Sequence, residues 1–578
     1  MENTILALKD KPKEFFDELR DIWLSEDNQL NQTLPDLIIS LNKNHQIDFC
    51  ALGLEAINQG FSCFDIPQIL DSAFQNMTLN INSVIELIKC LNERMQRDLY
   101  SYIQISPFKG LAIQQPAFAK ALIVELLTHN QPYIIGYVAH LYDELFQQDP
   151  EIIYNELYTH IDSEDLYVLI STIATLGKIN YSVPENAHFL SKTLQALETL
   201  QQKNNPEIDP ILIHTYTSLL AFSPTITKQK IVEYSYQQNT KIQSSIADTL
   251  FRTQDHQYTE DWFSTALLNL ATVQIECASI LDTLDGILYN LTTKDFPLFE
   301  KFIITWLISS NYNDHNKQLA DIFDSTLSAL VSQPQNLKIF ITNLLNHDNH
   351  AAHRGAADMA SYCQIRHIKH IELDNKILKN LQDKDYLFIC RKILGYINYH
   401  PYLCSLLFSL LCSCSKNPNV ILFVYSSFID HVVDDHPHKT KDFFKTIIKK
   451  SKKQIILDFS NKLVKDITLY LSSKDNLPTL KELRPSPRNS YAINRANNIK
   501  IQKYLEEAEN KSILRQIATV IHIKDGTGSF CWIDNKYSDL SKMVQHSTST
   551  EIPYSEIIDP IGTAMNRIGF RIAKRVEI

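Results

Sequence analysis

Ser163-Glu-Asp-Leu-Tyr-Val-Leu-Ile-Ser-Thr-Ile-Ala-Thr-Leu-Gly-Lys-Ile179 is the stretch whose reading decides the fold. It opens on an acidic turn, Asp162-Ser-Glu-Asp165, whose side chains can accept hydrogen bonds from the free amides of a helix start. The apolar run Leu166-Tyr-Val-Leu-Ile follows, and Gly177 behind Thr175-Leu176 reads as a stop. Asp383-Lys-Asp-Tyr-Leu-Phe-Ile-Cys-Arg-Lys-Ile-Leu-Gly395 has the same layout, terminal glycine included. His350-Ala-Ala-His-Arg-Gly-Ala-Ala-Asp-Met-Ala360 is similar around its Arg-Gly-Ala-Ala core, and Asn239-Thr-Lys-Ile-Gln-Ser-Ser-Ile-Ala-Asp-Thr-Leu250 is a looser fourth. The separations are 33 residues from His350 to Asp383, 76 from Ser163 to Asn239 and 111 from Asn239 to His350. They correspond to one, two and three units within the ~33–47-residue period of helical repeats.

The acidic turn and the small residues on one face make these segments resemble the second helix of a HEAT repeat. The resemblance implies an all-α fold, an α-solenoid of stacked helix pairs of HEAT/armadillo type over about Met1 to Pro478. No single pair can bury its apolar face alone, so neighbours must stack. Elsewhere in that body Phe15, Phe16, Leu19, Ile22 and Trp23 recur at helical spacing, Asp65-Ile-Pro67 opens a helix, and Gly60 closes another. Glycine is scarce, 12 in 578 residues, with none between Gly395 and Gly526. Helices joined by Asn, Asp and Pro turns tolerate that scarcity, whereas phosphate-cradling loops do not.

The bulk numbers agree with a folded helical protein. Hydrophobic content of 44% and charged content of 21% exclude global disorder. The length exceeds the ~250–300 residues at which a single core stops growing, which leaves several domains or a solenoid. The ten cysteines sit mostly in apolar helical patterns, as at Ile389-Cys390 and Leu411-Cys412, and read as reduced, buried thiols. The N-terminus lacks a basic region followed by an apolar stretch, so no signal peptide is expected. Ile393 to Ser415 carries no charged residue, but Asn398, His400 and Pro401 divide it into pieces shorter than the ~20 residues of a span. A buried helix pair and a cytoplasmic location follow as expectations.

From Lys439 the character changes. To Arg515 there are 18 Lys plus Arg against 8 Asp plus Glu, a local charge of +10 in a chain of −11. Residues 479–515 read as a basic linker, with Arg484-Pro-Ser-Pro-Arg488, and a polar helix from about Tyr491 to Glu509. Residues 516–578 read as a small α+β module. Ile517–Ile523 and Ser529–Ile533 flank Lys524-Asp-Gly-Thr-Gly528 as a hairpin, and a last helix, about Ser555 to Gly569, covers it. Such a tail needs a surface to dock on, either the body or a partner.

Chemistry-bearing patterns are few. His347, His350, His353, Cys363 and His367 have spacings that imidazole and thiolate zinc sites use. A loop-and-cap role competes, and no metal or other cofactor is expected. Leu344-Leu-Asn-His347-Asp348 resembles the His-Asp pair of HD phosphohydrolases, without the glycine and lysine that usually follow it. His431-Val-Val-Asp-Asp435-His-Pro-His438 has metal-capable residues but reads as a helix terminus at Pro437. No P-loop, dinucleotide fingerprint, nucleophile elbow or HExxH pair occurs, so no nucleotide is expected. Lys449, Lys450, Lys452, Lys453, Arg484, Arg488, Arg495 and Lys500, with Tyr491 as a stacking surface, could meet phosphates or an acidic protein.

The functional expectation is a non-enzymatic scaffold that binds partner proteins in a larger complex. Bacterial multi-protein systems, anti-phage defence among them, are one setting for such scaffolds. A nucleic-acid-binding solenoid using 439–515 is the alternative, and an HD-type hydrolase a second one. A membrane partner is not expected.

Overall fold

In the computed structural model the described residues are 2–25, 28–45, 47–95, 105–414, 417–477, 486–510, 522–525, 528–533, 536–537, 541–542, 555 and 559–575. The helix starts read from sequence are made by the residues that head them. Asp165 accepts from the amides of Tyr167 at 2.9 Å and Val168 at 3.2 Å, and the helix Leu166–Lys178 follows. Asn239 caps Thr240–Gln257 through the Lys241 amide, and Asn349 caps His350–Ile365 through that of Ala351. Gln382 and Asp385 form a reciprocal capping box at the head of Asp383–Tyr396. Each cap satisfies amides that a helix leaves free at its N-terminus.

The described residues are overwhelmingly helical, and they divide into two compact units, Met1–Asn336 and Leu337–Ile578. In the first unit alternate helices pack on one another in rows. Ile134–Gln148 lies on Leu166–Lys178, that helix on Asp209–Ser218, and that one on Thr240–Gln257. The row continues with Ala278–Lys294 and Asp324–Val331. The intervening helices Pro224–Ser235, Asp261–Asn269 and Phe296–Ser309 form a second row. In the second unit His350–Ile365, Asp383–Tyr396 and Pro418–Ser427 pack in the same succession.

Side-chain hydrogen bonds repeat at the same interval. Asn42 bonds to Thr78 in both directions, 36 residues on. Thr215 Oγ1 donates to Ile173 O across 42 residues, and Trp306 Nε1 donates to Val273 O across 33 at 2.9 Å. Asp374 N donates to Thr342 Oγ1 across 32, and Tyr402 to Ile368 O across 34. Buried apolar side chains supply the cohesion, Phe15, Phe16, Ile173, Trp306 and Leu407 among them, all fully enclosed. These bonds fix the register of one pair on the next.

Two sequence expectations need correction. Gly177 and Gly395 do not end their helices; both lie inside them, one residue before the last. They are close-approach residues. A Cβ on Gly177 would stand 3.2 Å from Thr215 Cα, and one on Gly395 would stand 3.1 Å from Arg571 N. Gly60, by contrast, has φ of +89° behind Phe49–Asn58 and acts as the left-handed stop expected of it.

The uncharged stretch from Ile393 forms the end of Asp383–Tyr396 and the helix His400–Cys414, whose Cys404, Leu406, Leu407, Leu410 and Leu411 are buried. No helix among the described residues is long and apolar enough to cross a membrane. In the C-terminal stretch His522–Asp525 pairs antiparallel with Gly528–Ile533, with Asp525 opposite Gly528. The final helix is Pro560–Ile572, started by Asp559 accepting from Gly562 N at 2.8 Å. It packs on Asp383–Tyr396.

Candidate functional site

The final helix is held in the second unit by an interlock of cations and carbonyls. Lys392 lies in the apolar pattern of Asp383–Tyr396, flanked by Ile389 and Ile393, so its side chain is buried. Its ammonium donates to Arg571 O at 2.6 Å, Ala573 O at 2.7 Å and Phe570 O at 3.4 Å. A helix C-terminus presents free carbonyls and partial negative charge, and a lysine aimed at them satisfies both. The Phe388 ring lies 4.7 Å from the same nitrogen. Burial pulls the Lys392 pKa below the usual lysine value.

In return, two arginines of the tail reach the body. Arg571 Nε donates to Gly395 O at 2.7 Å, and its guanidinium lies over the Tyr396 ring. Arg575 Nε donates to Asp348 Oδ1 at 2.7 Å, and its other nitrogens bond to Asp385, to the side chain of Asn346 and to the Asn346 carbonyl. That guanidinium also stacks over Phe388. Ser555 Oγ donates to Asp435 at 2.5 Å and Asp434 at 3.1 Å. The cavity beside this contact, about 590 Å³, is lined by Asp430, His431, Asp434, Asp435 and Asp559.

Of the five residues considered for a metal, His347 and His353 are hydrogen-bonded within the protein, and Asp348 beside them is bound as well. Asp348 is engaged by Arg575, which holds its carboxyl below the usual range. His347 Nδ1 accepts from the Asn349 amide, and His353 is buried with Nε2 donating to His347 O at 2.6 Å. Burial lowers the His353 pKa to about 4. His353 and Cys363 share one helix but stand ten positions apart, ~15 Å along its axis. His367 follows that helix with φ of +57°. Among the described residues no three His, Cys, Asp or Glu side chains are grouped to hold a metal ion.

The basic residues fall on two elements. Lys449 and Lys450 end the helix Pro437–Lys450, and Lys452 and Lys453 follow in the turn. Arg488, Tyr491, Arg495 and Lys500 lie on Pro487–Asn510 and are exposed, Tyr491 at 68%. Arg484 lies outside the described residues. Beside the lysine end runs an open, mostly apolar groove of about 630 Å³, floored by Pro401, Phe408, Phe443 and Ile447.

No sequence motif singles out Lys392, Asp385, Arg571 or Arg575. Lys392 did leave a signal, a lone cation at an apolar position of its helix. Comparison with known proteins adds no relative: no protein-family profile and no curated protein matches the chain.

Proposed function

We propose that the chain is a non-enzymatic scaffold, an α-solenoid of stacked helix pairs that holds partner proteins in a larger complex. The observation that carries this reading is the recurrence of side-chain bonds between pairs at 32 to 42 residues. Quasi-repeating pairs present long continuous surfaces rather than one enclosed pocket. The small α+β module after residue 516 and a cytoplasmic setting belong to the same reading. Native purification of the tagged full-length chain tests it. A stoichiometric partner protein is the expected result; a clean monomer from every native preparation counts against it.

The exposed lysines at 449–453 and the exposed Pro487–Asn510 helix favour a second reading, nucleic-acid binding. Its affinity for an oligonucleotide would fall steeply with salt, and charge reversal at Lys449, Lys450, Lys452 and Lys453 would weaken it. Salt-independent or absent binding removes it. A metal-dependent HD-type hydrolase around His347 and Asp348 rests on the sequence pair alone. Elemental analysis and unchanged hydrolysis by His347→Ala would eliminate that reading.

A further inference from the structure

We infer that the outer face of the final helix, Pro560–Ile572, binds the same helix of a second copy of this chain, antiparallel about a two-fold axis. An ordinary surface helix buries its apolar stripe and shows its charges. This one is docked the other way round. Its polar side meets the body: Thr563 and Arg567 line the cavity beside Asp434 and Asp435, and Arg571 donates to Gly395 O. Phe570 is on that side too, its ring 4.9 Å from that of His431. The opposite side carries Ile561, Met565, Ile568 and Ile572, exposed by 74%, 66%, 52% and 70%. Together they leave on the order of 500 Å² of apolar surface open, a patch of the size that marks interaction sites. Among the described elements Asp383–Tyr396 is the one packed closely on this helix, from the other side.

Two features of the stripe select a second copy as its occupant. The first is spacing. Ile561, Met565, Ile568 and Ile572 follow one another at four, three and four residues, the seam of a packed helix pair. That pattern is symmetric about the midpoint between Asn566 and Arg567. A two-fold axis there sets Ile561 against the partner's Ile572 and Met565 against the partner's Ile568. The same four side chains then form both walls, as an isologous contact requires. The second feature is the flanks. In an antiparallel pair each flank faces its own equivalent, so charge there would meet like charge. The flanking residues are Gly562, Ala564, Gly569 and Arg571. The one charge among them is turned to Gly395 O and the Tyr396 ring. A charged partner or a phosphate backbone would find nothing on this face to pair with. Counted on both copies the patch reaches ~1,000 Å², the lower end for a specific interface, so the dimer should be concentration-dependent.

The test uses the full-length chain in light scattering coupled to gel filtration, over a concentration series. The expected result is a species of twice the chain mass at high concentration. Ile568→Glu and Met565→Lys should each reduce it to one mass. Both side chains are exposed and make none of the contacts that hold the helix, so these variants keep it docked. An equal mixture of the two variants should recover the double mass. The antiparallel pairing sets Glu against Lys in one layer and leaves Met565 against Ile568 in the other. A monomer at every concentration overturns the inference, as does a dimer indifferent to both substitutions. A mixture that stays monomeric overturns the antiparallel pairing. A monomer in which Ile568→Glu deprotects the amides of 522–533 would give the stripe to the chain's own hairpin, and overturns it too.

Discussion

The ammonium of Lys392 donates to the carbonyl oxygen of Arg571 at 2.6 Å, joining residues 179 positions apart. With Ala573 O at 2.7 Å it closes the end of the final helix. A cation placed at these carbonyls stabilises the helix by position as well as by bonding. Lys392→Met keeps the buried stem and removes the donor. The tail should loosen, at a cost of about 1–3 kcal/mol, and the amides of 560–572 should exchange faster while those of 400–414 hold. Equal exchange in both chains would show that the lysine does not retain the tail.

Arg575 has two carboxylate partners of unequal weight. Asp348 is 79% exposed and Asp385 only 14%, so solvent screens the first pair far more. A double-mutant cycle of Arg575→Ala with Asp385→Asn should give a coupling of roughly 1–3 kcal/mol. The cycle with Asp348→Asn should give under about 1 kcal/mol and vanish in high salt. Arg575→Lys should recover little, because a compact ammonium lacks the planar fork that presents separate N–H groups to Asp385, Asp348 and the Asn346 carbonyl. Chemical denaturation of the six proteins measures each coupling.

The two halves of this interlock differ in how far sequence exposes them. Asp383–Gly395 announces a helix because capping and apolar spacing are local, and the structure bears that out through Gln382 and Asp385. Asp385 also faces Arg575 across 190 positions, and nothing local in either neighbourhood encodes that pairing. Gly395 shows the same limit. Local rules read a glycine after an apolar run as a stop, whereas the tail's backbone is what requires it. Phe408 and the pair Phe443 and Ile447 come from two different helices, and no local pattern in either brings them to one groove.

Two glycines should answer alanine in opposite ways. Among the described residues nothing beyond its own helix backbone comes within 4 Å of the missing Cβ of Gly569, so Gly569→Ala should stabilise its helix by about 0.5–1 kcal/mol. Gly395→Ala gains the same propensity but sets a methyl 3.1 Å from Arg571 N and 3.2 Å from Phe570 Cβ. The tail must then move by a few tenths of an ångström, lengthening the bonds from Lys392 and Arg571. Global melting should change little in Gly395→Ala while tail amides lose protection at least severalfold. Tail protection unchanged in Gly395→Ala would mean that the close approach relaxes freely.

Acid should destabilise the second unit through two buried imidazoles. His353 faces His347, His350 and Lys392 beside the rings of Phe388 and Tyr396, and burial takes its pKa to about 4. His400 shares a hydrogen bond with Thr440 at 3.0 Å, lies 3.3 Å from Cys404 Sγ and faces His436 and Lys439; burial takes it to about 3. An unfolded histidine titrates near ~6.5. Between that value and the folded ones the unfolded chain binds more protons, so stability falls as pH drops through the window. Above ~6.5 both forms are neutral and neither group contributes a slope. Each group can supply at most ~1.4 kcal/mol per pH unit, so over the ~1.5 units down to pH 5 the two together can cost up to about 4 kcal/mol. Urea midpoints at pH 7.5, 6 and 5 measure the slope. His353→Gln places an amide nitrogen near Nε2 without a titrating group, and with His400→Gln it should flatten the profile. A slope unchanged in the double variant would assign the acid sensitivity to other groups.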